Sequence, residues 1–161
     1  MGFLVNGVPE AERQIWDLPY GGSILEARVS RARIRLDYAI EANLEGPDLN
    51  RKLDELGVPD VAEIAERADL GEARALGAFA AFGHHLGRGL RLGVLPFSPE
   101  VVMLGGQIAR AERHFMAALR AELGVDADRV RCADELTIAR AAFVGIAMWV
   151  LVRPQSTPSH L

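Results

Sequence analysis

Between Gly71 and Leu95 the chain carries Leu76, Phe79, Gly83, Leu86, Leu90 and Val94 at spacings of three and four residues. That is the period of one face of an α-helix. Gly83, Gly87, Gly89 and Gly93 sit inside the same stretch. Each glycine costs about 1 kcal/mol relative to alanine in a helix interior. Close packing of the helix backbone against another element offsets that cost. The chain is therefore expected to be organised around one long helix, ended by Pro96, with a neighbour lying directly on its backbone.

The segment after this helix reads as α/β. Val101–Leu104 is a continuous apolar run, as expected for a strand buried on both faces of a parallel sheet. Gly105-Gly106 comes next, then a helical stripe of Ile108, Ala111, Phe115, Ala118 and Leu119 that stops at Gly124. A second strand is expected over about 129–133, and a last helix over about 136–152, with Ile138, Ala141, Ala142, Gly145, Trp149 and Val152 on one face. Alternating strands and helices imply an α/β arrangement. The sequence contains no internal repeat.

The first half is less regular. GFLVNGVP reads as a strand meeting a two-residue hairpin turn at Asn6-Gly7. Residues 9–23 are irregular, and a helical pattern extends from Ser23 to about Leu44 with a break expected near Ser30. Short helices are expected from Pro47-Asp48 to Leu56, stopped by Gly57, and from Pro59-Asp60 onward through Val61, Ile64 and Ala65.

Half of the 161 residues are hydrophobic, enough for one folded domain and unlike a disordered chain. The net charge of -4 argues against direct nucleic-acid binding, whose footprint is a basic patch. The most apolar stretch, AAFVGIAMWVLV, has 12 residues, whereas a membrane span needs about 20. No membrane partner is expected. The single Cys132 has no intrachain partner for a disulfide and cannot build a cysteine zinc cage. It reads as a small core residue, and the expected setting is cytoplasmic.

Few residues carry chemistry. Gly105 and Gly106 stand at a strand-to-helix junction, where a missing Cβ lets a ligand such as a nucleotide approach the backbone. The plainer reading is a tight turn. Asp17 and Glu26 flank a glycine-bearing loop and are placed to bond polyol hydroxyls, although surface carboxylates are usually just solvated. His84 and His85 are adjacent, not i and i+4, so they do not form a helical metal pair. His114 stands alone in sequence. No metal site is expected.

Several stretches together resemble the ROK family (repressors, open reading frames and sugar kinases) of the actin/hexokinase-like superfamily. HHLGRGLRLGVLPFSPEVVMLGGQIARAERHFMAALRAEL is similar to that family's long glycine-bearing helix, Asn-Pro-Glu turn, buried strand, Gly-Gly and following helix, with Ser98 in place of the Asn. TIARAAFVGIAMWVL resembles its closing helix, and GFLVNGVP the hairpin after its second phosphate loop. RQIWDLPYGGSILEARVSRARI resembles the region of the Glu-x-Gly-His sugar motif and the cysteine-rich zinc motif.

The resemblance implies a C-terminal lobe of the ribonuclease H-like fold, a small sheet packed by several helices, over residues 1–152, with a loose tail at 153–161. It implies adenosine-side contacts at Gly105 and Gly106 and sugar contacts at Gln14, Asp17 and Glu26. Gln14 stands at the family's sugar-binding Glu, Asp17 at its His, and Trp16 replaces the Gly. The zinc cysteines are missing, so no structural zinc is expected, while ATP and Mg2+ are cofactors that the resemblance allows. The family's Asp-x-Gly phosphate motif and catalytic Asp belong to an upstream lobe. The implied function is a sugar-kinase-like or sugar-sensing lobe, not catalytic alone, partnered by a second copy or a complementary N-terminal lobe. The alternatives are an oligomerisation or interaction domain, whose helices 71–95 and 138–152 meet a partner, and an independent kinase with Asp17 as base.

Overall fold

A computed structural model describes residues 3–5, 8–10, 17–39, 44 and 46–133 of the chain. It is mixed α/β and mostly helical, with five α-helices and three two-stranded sheets among the described residues. The expected closing helix at 136–152, the tail and Gln14 lie outside them.

β1 (Phe3–Val5) and β2 (Val8–Glu10) pair antiparallel with Val5 opposite Val8. Two residues separate the strands, the hairpin spacing expected at Asn6-Gly7. β3 (Pro19–Tyr20) and β4 (Ser23–Ile24) form a second hairpin around Gly21 and Gly22, at φ +56° and +82°. Both residues lie in the left-handed region that favours glycine. The helix expected from Ser23 therefore starts later. Ser23 belongs to a strand, a 3-10 turn spans Leu25–Ala27, and α1 covers Arg31–Ala39. The break expected at Ser30 is its N-terminal boundary: the Arg33 amide donates to Ser30 Oγ at 3.2 Å, a side-chain cap.

α2 (Leu49–Glu55) and α3 (Val61–Asp69) follow their punctuation. Gly57 turns at φ +67°, and the Asp60 carboxylate accepts from the amides of Ala62 and Glu63 at 2.8 and 3.0 Å. The buried Arg35 of α1 holds the three helices together. Its guanidinium donates to the carbonyls of Pro59 and Val58 (3.0 and 2.6 Å) and to the Asp54 carboxylate at 2.7 Å.

α4 (Ala73–Gly93) is the long helix, and α5 (Glu112–Leu123) lies on its glycines. A Cβ at Gly83 would meet the carbonyl oxygen of Phe115, and one at Gly87 would come within 2.9 Å of the carbonyl oxygen of Leu119. Gly89 admits the side chain of Leu25. Contacts advance along both helices together, 83 with 115 and 118, 87 with 119 and 122, so α4 and α5 run in the same direction. Phe79, Phe82 and Leu90 of α4 meet Phe115 and Leu119 of α5 in one core with Ile34 and Ile64. Phe82 and Phe115 stack edge to face at 5.2 Å. Each fully buried phenylalanine contributes about 1.5–3 kcal/mol. Leu76, placed by spacing in the apolar stripe, is exposed.

β5 (Val102–Leu104) and β6 (Val130–Cys132) pair in parallel, Val102 with Val130 and Leu104 with Cys132, joined through α5. The strand–helix–strand order is the expected one, and the parallel pairing makes it a crossover unit. The expectation that Val101–Leu104 is buried on both faces is corrected. Leu104 and Val130 face the core, while Val101 is 50% and Met103 42% exposed. α4 and α5 pack together on one side of this small sheet, and no described element covers the other. Among the described residues no helix is long and apolar enough to cross a membrane.

Candidate functional site

The Gly105-Gly106 turn leaves β5 and enters a 3-10 turn (Gln107–Ala111) that leads into α5. Gly106 has φ +102°, and a Cβ there would meet nothing within 4 Å. The glycine is thus required by backbone conformation, and the space beside it is open. A cavity of about 410 Å3 starts at the next residue, between this turn and α3. Its apolar wall is Val61, Ala62, Ala65, Ile108 and Ala111, and charged groups ring it. Arg31 faces Asp60 at 3.7 Å, and Arg113 forks onto Asp69 at 2.7 and 2.5 Å. The Arg113 hydrogen bonds hold the Asp69 carboxyl below the usual carboxylate range, aided by Arg113 and His114 charge.

Glu26 lies in a separate place. It lines an open groove of about 1000 Å3 beneath the Gly21-Gly22 turn, with Ser23, Arg28, Ser30, Arg31 and Arg33. Asp17 is exposed and outside that lining. The structure therefore assembles neither an Asp17–Glu26 pair nor one site containing both Glu26 and the Gly105-Gly106 turn. Beside the groove, the Tyr20 hydroxyl and His85 Nδ1 share a 3.0 Å hydrogen bond with their rings edge to face. Burial, then the charge of Arg28, pushes the His85 imidazolium toward its neutral form. A neutral ring accepts from the Tyr20 hydroxyl through Nδ1 when its proton is on Nε2.

No protein-family model matches the chain, and no curated protein or solved structure matches it significantly. Geometry alone marks the site.

His84, His85 and His114, which show no partner in the sequence, each lie beside one in the fold. His84 Nδ1 lies 3.0 Å from Glu122, which also accepts from Arg88 at 3.0 Å. His114 Nε2 lies 3.0 Å from Asp69, and its ring lies against Phe79. Among the described residues no group of His, Cys, Asp and Glu forms a metal cage. Cys132 is half-buried, and burial together with Glu112 pushes its thiol up to about 12, so it stays protonated at neutral pH.

Sequence spacing does not reveal the cavity beside α3 because its walls come from three separated segments. The single local clue is Asp60, readable as a helix cap. The pairing of Asp69 with Arg113, 44 residues apart, leaves no local trace.

Proposed function

We propose that this chain is a ligand-binding lobe of the ROK type, with a ribonuclease H-like core, acting in sugar sensing or as one half of an ATP-dependent sugar kinase. The observation that carries the reading is the cavity adjoining the Gly106 turn. A strand ends, a glycine pair turns the backbone with Gly106 at positive φ, and a pocket of about 410 Å3 opens toward α3. That volume lies within the range of small-molecule sites, about 300–1,000 Å3.

A nucleoside fits this cavity. Val61, Ala62, Ala65 and Ile108 offer apolar contact to a base, and the Asp60 and Asp69 carboxylates stand at the rim for ribose hydroxyls. ATP, when bound, supplies the phosphoryl group. Magnesium does not fit the described residues, which provide no cluster of oxygen ligands. Phosphoryl transfer needs metal, phosphate cradle and nucleophile in one place. We therefore read the lobe as binding, with transfer requiring groups from a complementary lobe. Glu26 supplies the sugar side.

Calorimetric titration with ATP, adenosine and glucose tests the reading. Saturable heat with adenosine, lost in Ile108→Arg while the melting temperature holds, is the expected result. Absence of heat with every nucleotide and sugar at high protein concentration would sink it.

A second reading, an interaction module, is favoured by the exposed strand face of Val101 and Met103 and by Phe97, also half exposed. A second copy of the chain is the partner. Concentration-dependent sedimentation that Met103→Lys abolishes would support this reading, and a single monomer species would remove it.

A further inference from the structure

We infer that the Tyr20–His85 contact is a latch that holds the β3–β4 hairpin on α4 and lets go in acid, so that the groove bearing Glu26 loses one wall as the pH falls.

The hairpin needs a fastening. β3 and β4 have two residues each and pair only with one another among the described residues. A two-stranded hairpin is marginal in water unless it packs on something. Two described contacts attach this one to α4. At its base the Leu25 amide donates to the Leu18 carbonyl at 2.9 Å, and the Leu25 side chain fills the notch at Gly89. Towards its tip the Tyr20 hydroxyl meets His85 Nδ1 at 3.0 Å. Gly21, Gly22, Ser23 and Ile24, beyond Tyr20, are exposed. Tyr20 is thus the tip's anchor.

That anchor depends on the protonation of His85. In the neutral ring Nδ1 accepts from the Tyr20 hydroxyl, whereas in the imidazolium both nitrogens are donors. The hydroxyl must then turn and accept, beside an oxygen that the Arg88 guanidinium already approaches. The groups around the ring also oppose a charge on it. Arg28, just after the 3-10 turn, Arg33 of α1 and Arg88 of α4 repel it, and Asp37 of α1 attracts it. Asp37 is already paired with Arg33 at 2.6 Å, and Arg88 with Glu122 of α5 at 3.0 Å. Burial keeps water from the ring as well. Swinging the tip away returns that water. Protons therefore favour the released hairpin, and the balance moves as the pH falls below about 6.5, the ordinary range of a histidine.

The hairpin supplies Gly21, Gly22, Ser23 and Ile24 to the groove lining, while Glu26, Arg28 and Ser30 come from the segment behind it. Release of the tip removes the first set and leaves the second, held by Leu25. The latch requires no ligand, so it stands or falls separately from the sugar reading.

Amide hydrogen exchange of the full chain by NMR at pH 7.5 and 5.5, corrected for intrinsic exchange rates, tests the inference. Protection of residues 20–24 should fall about fivefold at the lower pH, the size of one ordinary hydrogen bond, while the Leu25 amide and α4 keep theirs. His85→Gln should abolish that step with circular dichroism unchanged. Tyr20→Phe should show the lower protection at both pH values. No step in the parent chain, the same step in His85→Gln, or full protection in Tyr20→Phe overturns the inference. So does an equal loss along α4, which would mean general unfolding rather than release of a hairpin.

Discussion

At the scale of single residues, identical amino acids do different work according to what lies above them. Gly83 and Gly77 both sit inside α4. Gly83 is covered by the Phe115 carbonyl, whereas a Cβ at Gly77 would meet nothing within 4 Å. Gly83→Ala should therefore destabilise the protein by about 1–3 kcal/mol through overpacking against immovable backbone. Gly77→Ala should stabilise it by up to about 1 kcal/mol through helix propensity. Urea denaturation of both variants checks this, and shifts of the same sign would contradict the packing described. Ser98 is the one non-glycine residue at positive φ among those described, φ 51°. Asn tolerates that conformation better than Ser. Cys132, its thiol pushed up to about 12, should resist alkylation at pH 8 in the native state and react once denatured. Rapid native labelling, followed with a maleimide and mass spectrometry, would contradict its placement.

At the scale of elements, punctuation is legible in the chain and pairing is not. Gly57, Asp60 and Pro96 mark boundaries that the structure reproduces, because caps and breakers act through their own backbone. The β3–β4 hairpin escapes a reading by pattern. Its strands have two residues each, too few for a period-2 signal, and Gly21-Gly22 reads as loop. Arg35 is another long-range feature. It is only 2% exposed and bonds to carbonyls on the α2–α3 connection. Arg35→Met should cost about 2–3 kcal/mol, mainly from carbonyls left without a donor. Thermal melting would show it, and an unchanged midpoint would mean that water replaces the guanidinium freely.

At the scale of the whole molecule, stability should fall on acidification in two stages. His85 is held toward neutrality mainly by burial, so its folded pKa lies below the unfolded value of about 6.5. The unfolded state then binds more protons below that pH, and stability falls as pH drops through it. Asp60, Asp69 and Glu122 are lowered, chiefly by the Glu63 amide, Arg113 and Arg88 respectively. Their stabilisation is present above about pH 4–5 and is lost as pH falls further. Denaturation midpoints at pH 7.5, 5.5 and 3.5 should decline at both steps, with the first step absent in His85→Gln. A profile flat from pH 7.5 to 5.5 in the parent chain would contradict the His85 environment.

Local signals in the chain are enough to specify the long glycine-bearing helix, the strand–Gly-Gly–helix order and most helix ends. Those signals lie within a few residues of each other and act through backbone preference. Packing alone sets which glycines lie under α5, that Val101 and Met103 face outward, and that Glu26 and the Gly106 turn border different cavities. Those facts depend on which distant segments meet, and burial, unlike propensity, belongs to the packed chain.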